Sequence, residues 1–130
     1  MLGGYAVLTC VVAPVCEEIF FRGFMFMAFA RKLGPAWGAV LAGGIFGLIH
    51  APNPILGLIA LGVLGVCLCA LYWRTQSIIP CMALHALNNS ISFGVTKSLD
   101  AGVFAALVIG SVGLVVAVGM AVAERPPVTA

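Results

Sequence analysis

From Ala101 to Ala123 the chain runs without one charged side chain, and from Leu2 to Ala30 it carries only Glu17, Glu18 and Arg22. A helix needs about 20 apolar residues to cross a bilayer, so runs of this kind constrain the fold more than any motif. In lipid every backbone N–H and C=O must be satisfied inside the protein, which leaves helices and closed barrels as spanning structures. Strand-type alternation is absent, so the expectation is an all-α, multi-pass transmembrane helix bundle. Composition agrees. The chain is 63% hydrophobic and 8% charged, against about a quarter charged in a soluble domain. A net charge of +2, with its basic residues scattered, excludes a nucleic-acid-binding surface.

Five apolar segments suggest themselves: Leu2 to Ala30, Pro35 to His50, Ile55 to Trp73, Ile78 to Phe93, and Ala101 to Ala123. Pro14 should kink or divide the first. The prolines of "APNP" stop the second. Residues 1–123 read as one transmembrane domain, and "ERPPVTA", residues 124–130, reads as a flexible tail. If the segments alternate direction, Arg31, Lys32, Arg74 and Arg125 share one side and only Lys97 takes the other, so the first side is expected to be cytoplasmic. Trp37, Tyr72 and Trp73 sit near loops, where interfacial anchors belong. Glycine is frequent and permits close helix approach. "GVLG" has the wrong spacing for GxxxG, and no role is assigned to it. The cysteines (Cys10, Cys16, Cys67, Cys69, Cys81) are odd in number and lie in apolar runs, which argues against a disulfide framework. Cys67 and Cys69 diverge on a helix and would not share a metal.

Against this background a few polar residues stand out: Glu17, Glu18, Arg22, His50, His85, Asn88 and Asn89. An ionisable group at membrane depth costs about 2.5–3.5 kcal/mol on insertion scales and usually faces the interior of a bundle. Glu18 and Arg22 are four apart, acid first, the favourable order for a helical ion pair. Glu17 is rotated about 100° from Glu18. One carboxylate and the arginine thus neutralise each other, and the second carboxylate is left for chemistry. Phe46 with His50, and His85 with Asn89, repeat the four-residue spacing. At about 1.5 Å per residue, Glu17, His50 and Asn89 reach similar heights on straight helices, and the set could converge. Taken singly, each has a bland reading, since a membrane histidine or an ion pair is often structural. Asn88, rotated away from His85 and Asn89, reads as an interhelical tie.

A carboxylate, two histidines and an asparagine suit hydrolysis of an acyl bond. Glu17 could act as general base, with His50 positioning or deprotonating a water. His85 and Asn89 offer donors where an oxyanion would develop. Neither Ser90 nor Ser92 has an evident base, and Cys16 has no cationic partner beyond Arg22. Zinc is a second option, held by Glu17, His50 and His85 with an open fourth position, although the HExxH helix of zinc proteases is absent. A metal-free mechanism fits the same residues equally well.

"EEIFFRG" matches EExxxR, "FGLIH" matches FxxxH and "HALNN" matches HxxxN, in that order and in separate apolar segments. The chain therefore resembles the CPBP family of intramembrane proteases, also called the Abi or type II CAAX prenyl endopeptidase family, over about Val11 to Phe93. The resemblance implies a membrane-embedded peptidase site in a multi-pass helical protein. In it Glu17 and His50 would activate water, His85 and Asn89 would stabilise the oxyanion, and Glu18 with Arg22 would form a supporting ion pair. It implies a peptide or protein substrate, prenylated in eukaryotic relatives, whereas bacterial relatives are linked to bacteriocin immunity or peptide maturation. Some family names include metalloprotease, and a glutamate-dependent, metal-free mechanism is also argued. Family members usually carry further membrane segments before EExxxR, so the chain is expected to be a fragment or a minimal member. The rival readings are a non-catalytic membrane protein, such as an immunity factor binding a bacteriocin receptor, and a proton- or cation-coupled transporter. Transport is disfavoured because no inverted second half repeats the motif.

Overall fold

The computed structural model describes residues 1–51 and 53–123, and the tail expected over residues 124–130 lies outside the described residues. Among the described residues the chain is all-α and contains five helices. They are α1 (Leu2–Leu33), α2 (Pro35–Leu48), α3 (Ile55–Thr75), α4 (Ile79–Thr96) and α5 (Ala101–Ala123). Three of them, α1, α3 and α5, are long and apolar enough to cross a membrane. Their outward surface is greasy: Leu56 on α3 and Ile109 on α5 are 76% and 73% exposed. That is a liability in water and ordinary against lipid.

The expectation of five spanning segments needs correction. α2 has 14 residues, which at 1.5 Å per residue is about 21 Å, short of the ~30 Å hydrocarbon core. α4 has 18 residues, but His85, Asn88 and Asn89 dilute its apolar character, and it is not among the membrane-competent helices.

α1 does not divide at Pro14. It changes register instead, through π-helical stretches at Leu8–Val12 and Ile19–Phe26 set between α-helical ones. The first widened turn ends with the Ala13 N–H bonded to the Leu8 carbonyl, five residues back. A proline ring collides with the carbonyl four residues before it, and a π turn at that place lets the helix run on. α1 ends at Gly34, whose φ of 82° only glycine adopts without strain. Pro35 then opens α2 at the first helical position, where its missing N–H has no partner to lose.

The chain forms two compact units. Residues Glu17–Ile78 make one, and Met1–Cys16 with Ile79–Ala130 make the other. In the unit holding α2 and α3, Phe26, Ala30, Ala39, Ala42 and Cys69 form a core flanked by Val66 and Tyr72. α2 and α3 meet backbone to backbone. A Cβ on Gly43 would lie 2.6 Å from the Val66 nitrogen, one on Gly47 2.6 Å from the Leu58 carbonyl oxygen, and one on Gly65 2.8 Å from the Gly43 Cα. "GVLG", Gly62 to Gly65, therefore supplies one side of a close-packed seam, since residues three apart share a helix face. In the unit holding α4 and α5, Tyr5 packs on Phe93 with ring centroids 5.9 Å apart. Asp100 caps α5 by accepting the Gly102 and Val103 N–H groups, each at 3.1 Å.

Candidate active site

Glu17, Glu18, Arg22 and His50 fall in one unit, and His85, Asn88 and Asn89 in the other. In the first, Glu18 and Arg22 are wholly buried, and Nη1 of Arg22 donates to the Glu18 carboxylate at 2.8 Å. The four-residue spacing made this pair legible, although the structure carries it across the junction of α-helical and π-helical register at Ile19. Arg22 does more than neutralise Glu18. Its Nη2 donates to the backbone carbonyl of Gly65 on α3 at 3.1 Å, and its guanidinium carbon lies 4.9 Å from the centre of the Phe46 ring on α2. The guanidinium thus binds the middle of three helices, with a cation–π contact made stronger by the loss of water. Phe21 closes the same nest, edge-on to Phe46 at 5.1 Å.

Phe46 leads directly to His50. The two rings are 5.0 Å apart, and His50 Nδ1 lies 2.8 Å from the Phe46 carbonyl oxygen. A carbonyl only accepts, so Nδ1 is the donor in this bond, and Nε2 is the ring nitrogen that the bond does not engage. His50 itself lies past the end of α2, in a turn where its N–H bonds the Gly47 carbonyl three residues back at 3.1 Å. The expectation that the helix runs to His50 is corrected to Leu48. Glu17, next to the wholly buried Glu18, is half-buried. The two adjacent carboxylates thus differ in access.

In the second unit His85 is 2% exposed, and Asn88 and Asn89 are half-buried. Asn89 donates through Nδ2 to the Thr9 carbonyl on α1 at 3.0 Å and accepts from Asn88 Nδ2 at 3.3 Å. The Thr9 bond has a cause in the sequence. In the widened register the N–H after that of Ala13 should bond Thr9, but it belongs to Pro14, which has none. Asn89 supplies the missing donor. One of the two amide hydrogens expected to serve an oxyanion is therefore engaged on a backbone carbonyl, and the other is left for it. Asn88, read as an interhelical tie, bonds its own helix neighbour. Below this level the Ser90 hydroxyl donates to the Ala86 carbonyl at 2.7 Å. Ser111 on α5 has a carbonyl acceptor of its own, that of Val108 at 3.2 Å, and the two hydroxyls share a 2.6 Å bond in which either oxygen can donate. Ser90, which lacks an evident base in the sequence, thus serves an interhelical bond, and no motif around Ser111 marks it as the partner.

Within either unit the described residues gather no three His, Cys, Asp or Glu side chains that could hold a metal ion. The zinc set suggested by the sequence, Glu17, His50 and His85, takes members from both units.

Three comparisons bear on this arrangement. The family model described as Type II CAAX prenyl endopeptidase Rce1-like matches residues 2–91. The uncharacterized protein YyaK of Bacillus subtilis is 32% identical over 91 residues, which cover 65% of this chain and 30% of that protein. The chain thus spans under a third of the length of that curated relative. No solved structure matches.

Proposed function

Since the chain belongs to the Rce1-like family of type II CAAX prenyl endopeptidases and is an integral membrane protein, we propose that it hydrolyses a peptide bond of a membrane-associated protein substrate, using a water activated by Glu17 and His50. The observation that carries this reading is the chain of contacts from Glu18 through Arg22 and Phe46 to His50. It orients the imidazole by engaging Nδ1 as a donor, in the same unit as a carboxylate whose buried neighbour is already paired with Arg22. In the proposed step Glu17 takes a proton from water as oxygen attacks the carbonyl carbon, and His50 Nε2 orients that water. For His85 and Asn89 the family resemblance suggests the role of oxyanion donors. As the C–N bond breaks, Glu17 returns its proton to the leaving amine. No step needs a metal. The cell membrane is the proposed site, and a prenylated carboxy-terminal peptide is the substrate class suggested by the family's printed name.

Cleavage of a fluorescence-quenched peptide ending in a farnesylated Cys-aliphatic-aliphatic-X sequence, by the purified chain in liposomes, tests the reading. Glu17→Ala should abolish cleavage while the fold is kept, and an unprenylated twin of the peptide should be cut poorly. Cleavage that vanishes on exhaustive chelation and returns with zinc would replace the metal-free step. A parent chain that cuts neither peptide would sink the peptidase reading.

The bond from Asn89 to Thr9 favours a second reading, in which the polar residues only tie helices together. Under it Glu17→Ala and Glu18→Ala would harm folding equally, with no cleavage in the parent.

A further inference from the structure

At the end of the unit where α1 and α3 finish, Phe26 packs edge-on to Tyr72 and Trp73, each at 6.2 Å. A cavity of about 390 Å³ opens beside it, lined by Phe26, Ala39, Val66, Ala70 and Trp73, with Arg74 its only charged wall residue among the described residues. That volume lies within the ~300–1,000 Å³ range of small-ligand sites. Its walls are apolar and its mouth is cationic. Arg31 and Lys32 occupy the last turn of α1, a few residues before Pro35, which also lines the cavity, and both are exposed. The acidic residues of this unit are Glu17 and Glu18. They lie two turns or more up α1 from Arg31, and Glu18 is bound to Arg22. Nothing acidic in the unit offsets the three cations at this end.

We propose that this cavity binds one anionic phospholipid, with an acyl chain in the slot between α1, α2 and α3 and the headgroup phosphate on Arg74, Arg31 and Lys32. The charge pattern selects the occupant. An acyl chain alone would be satisfied by the walls, and a free phosphate by the cations, but only an anionic amphiphile uses both. Trp73, 43% exposed, takes the headgroup-level position that indole favours. Basic residues between helices at a cytoplasmic face commonly hold such headgroups. The proposal is independent of catalysis, since it uses neither Glu17 nor His50.

The test is native mass spectrometry and thermal unfolding of the purified chain in neutral detergent, with phosphatidylglycerol or phosphatidylcholine added in equal amounts. Phosphatidylglycerol should be retained and should raise the unfolding temperature; phosphatidylcholine should do neither. Arg74→Gln should lower phosphatidylglycerol occupancy about fivefold, the equivalent of ~1 kcal/mol per basic residue near a headgroup. Ala70→Phe, made at an exposed wall position, should fill the slot and abolish retention with every charge intact. Equal retention of both lipids, indifference to Arg74→Gln, or full retention in Ala70→Phe would each overturn the proposal. Cleavage can be lost while lipid selectivity survives, or the reverse, so the two readings fail separately.

Discussion

The unit around Glu18 and Arg22 and the unit around Asn89 and Ser90 face one difficulty, that of keeping polar groups inside a greasy chain, and they answer it with different chemistry. The first uses full charges. Its guanidinium is surrounded by a carboxylate, a main-chain carbonyl and an aromatic face. The second, beside its buried His85, relies on amides and hydroxyls, which replace a lost main-chain donor at Thr9 and link α4 to α5 through two serines. An ion pair is strong while intact but leaves a bare charge when broken. A neutral bond is weaker, and losing it leaves less behind. The two units should therefore respond to mutation on different scales.

The sharpest contrast is expected at Glu18. Glu18→Ala leaves Arg22 buried without its counter-charge, and the unfolding free energy in detergent should fall by about 3–5 kcal/mol. A loss below that of the neutral-unit variants would break the comparison. Gly65→Ala comes next. Its Cβ meets the Gly43 Cα and the Phe46 Cβ, at 2.8 and 3.2 Å, so α2 and α3 must part, at about 1–3 kcal/mol for overpacking. Equal stability in both proteins would show that the seam is slack.

In the neutral unit Asn89→Ala should cost about 1 kcal/mol, and Pro14→Ala offers a specific control. Alanine at position 14 restores an N–H in reach of the Thr9 carbonyl, so the Asn89→Ala penalty should shrink severalfold in that background. An undiminished penalty in the double variant would mean that Asn89 does not stand in for the proline. Ser111→Ala should be the mildest, at about 0.6 kcal/mol, read from the same unfolding curves.

Much of this was legible in the sequence where side-chain spacing alone carries the information. Glu18 and Arg22 pair because four residues bring them onto one face, and the all-α class follows from apolar run length. The register changes in α1 were not legible, because a π turn keeps the same residues and alters only which carbonyl each N–H meets. With them went the bond from Asn89 to Thr9. The GVLG seam was discounted against a GxxxG template, although Gly62 and Gly65 needed only Gly43 and Gly47 opposite them, a pairing that a single chain read in order does not display. His50 slipped past the helix end because FxxxH spacing holds equally well when the final turn tightens. The apolar slot beside Arg74 had no motif at all, since its walls are assembled from residues of three helices.

The acceptor that Arg22 finds on α3 belongs to the main chain. No codon change at position 65 can delete that oxygen. Mutation there can only add bulk and push the oxygen away, so the contact tolerates no drift in size yet is indifferent to chemical type. A guanidinium anchored in this way depends on the identity of Arg22 and Glu18 and, beyond them, on how little residue 65 occupies.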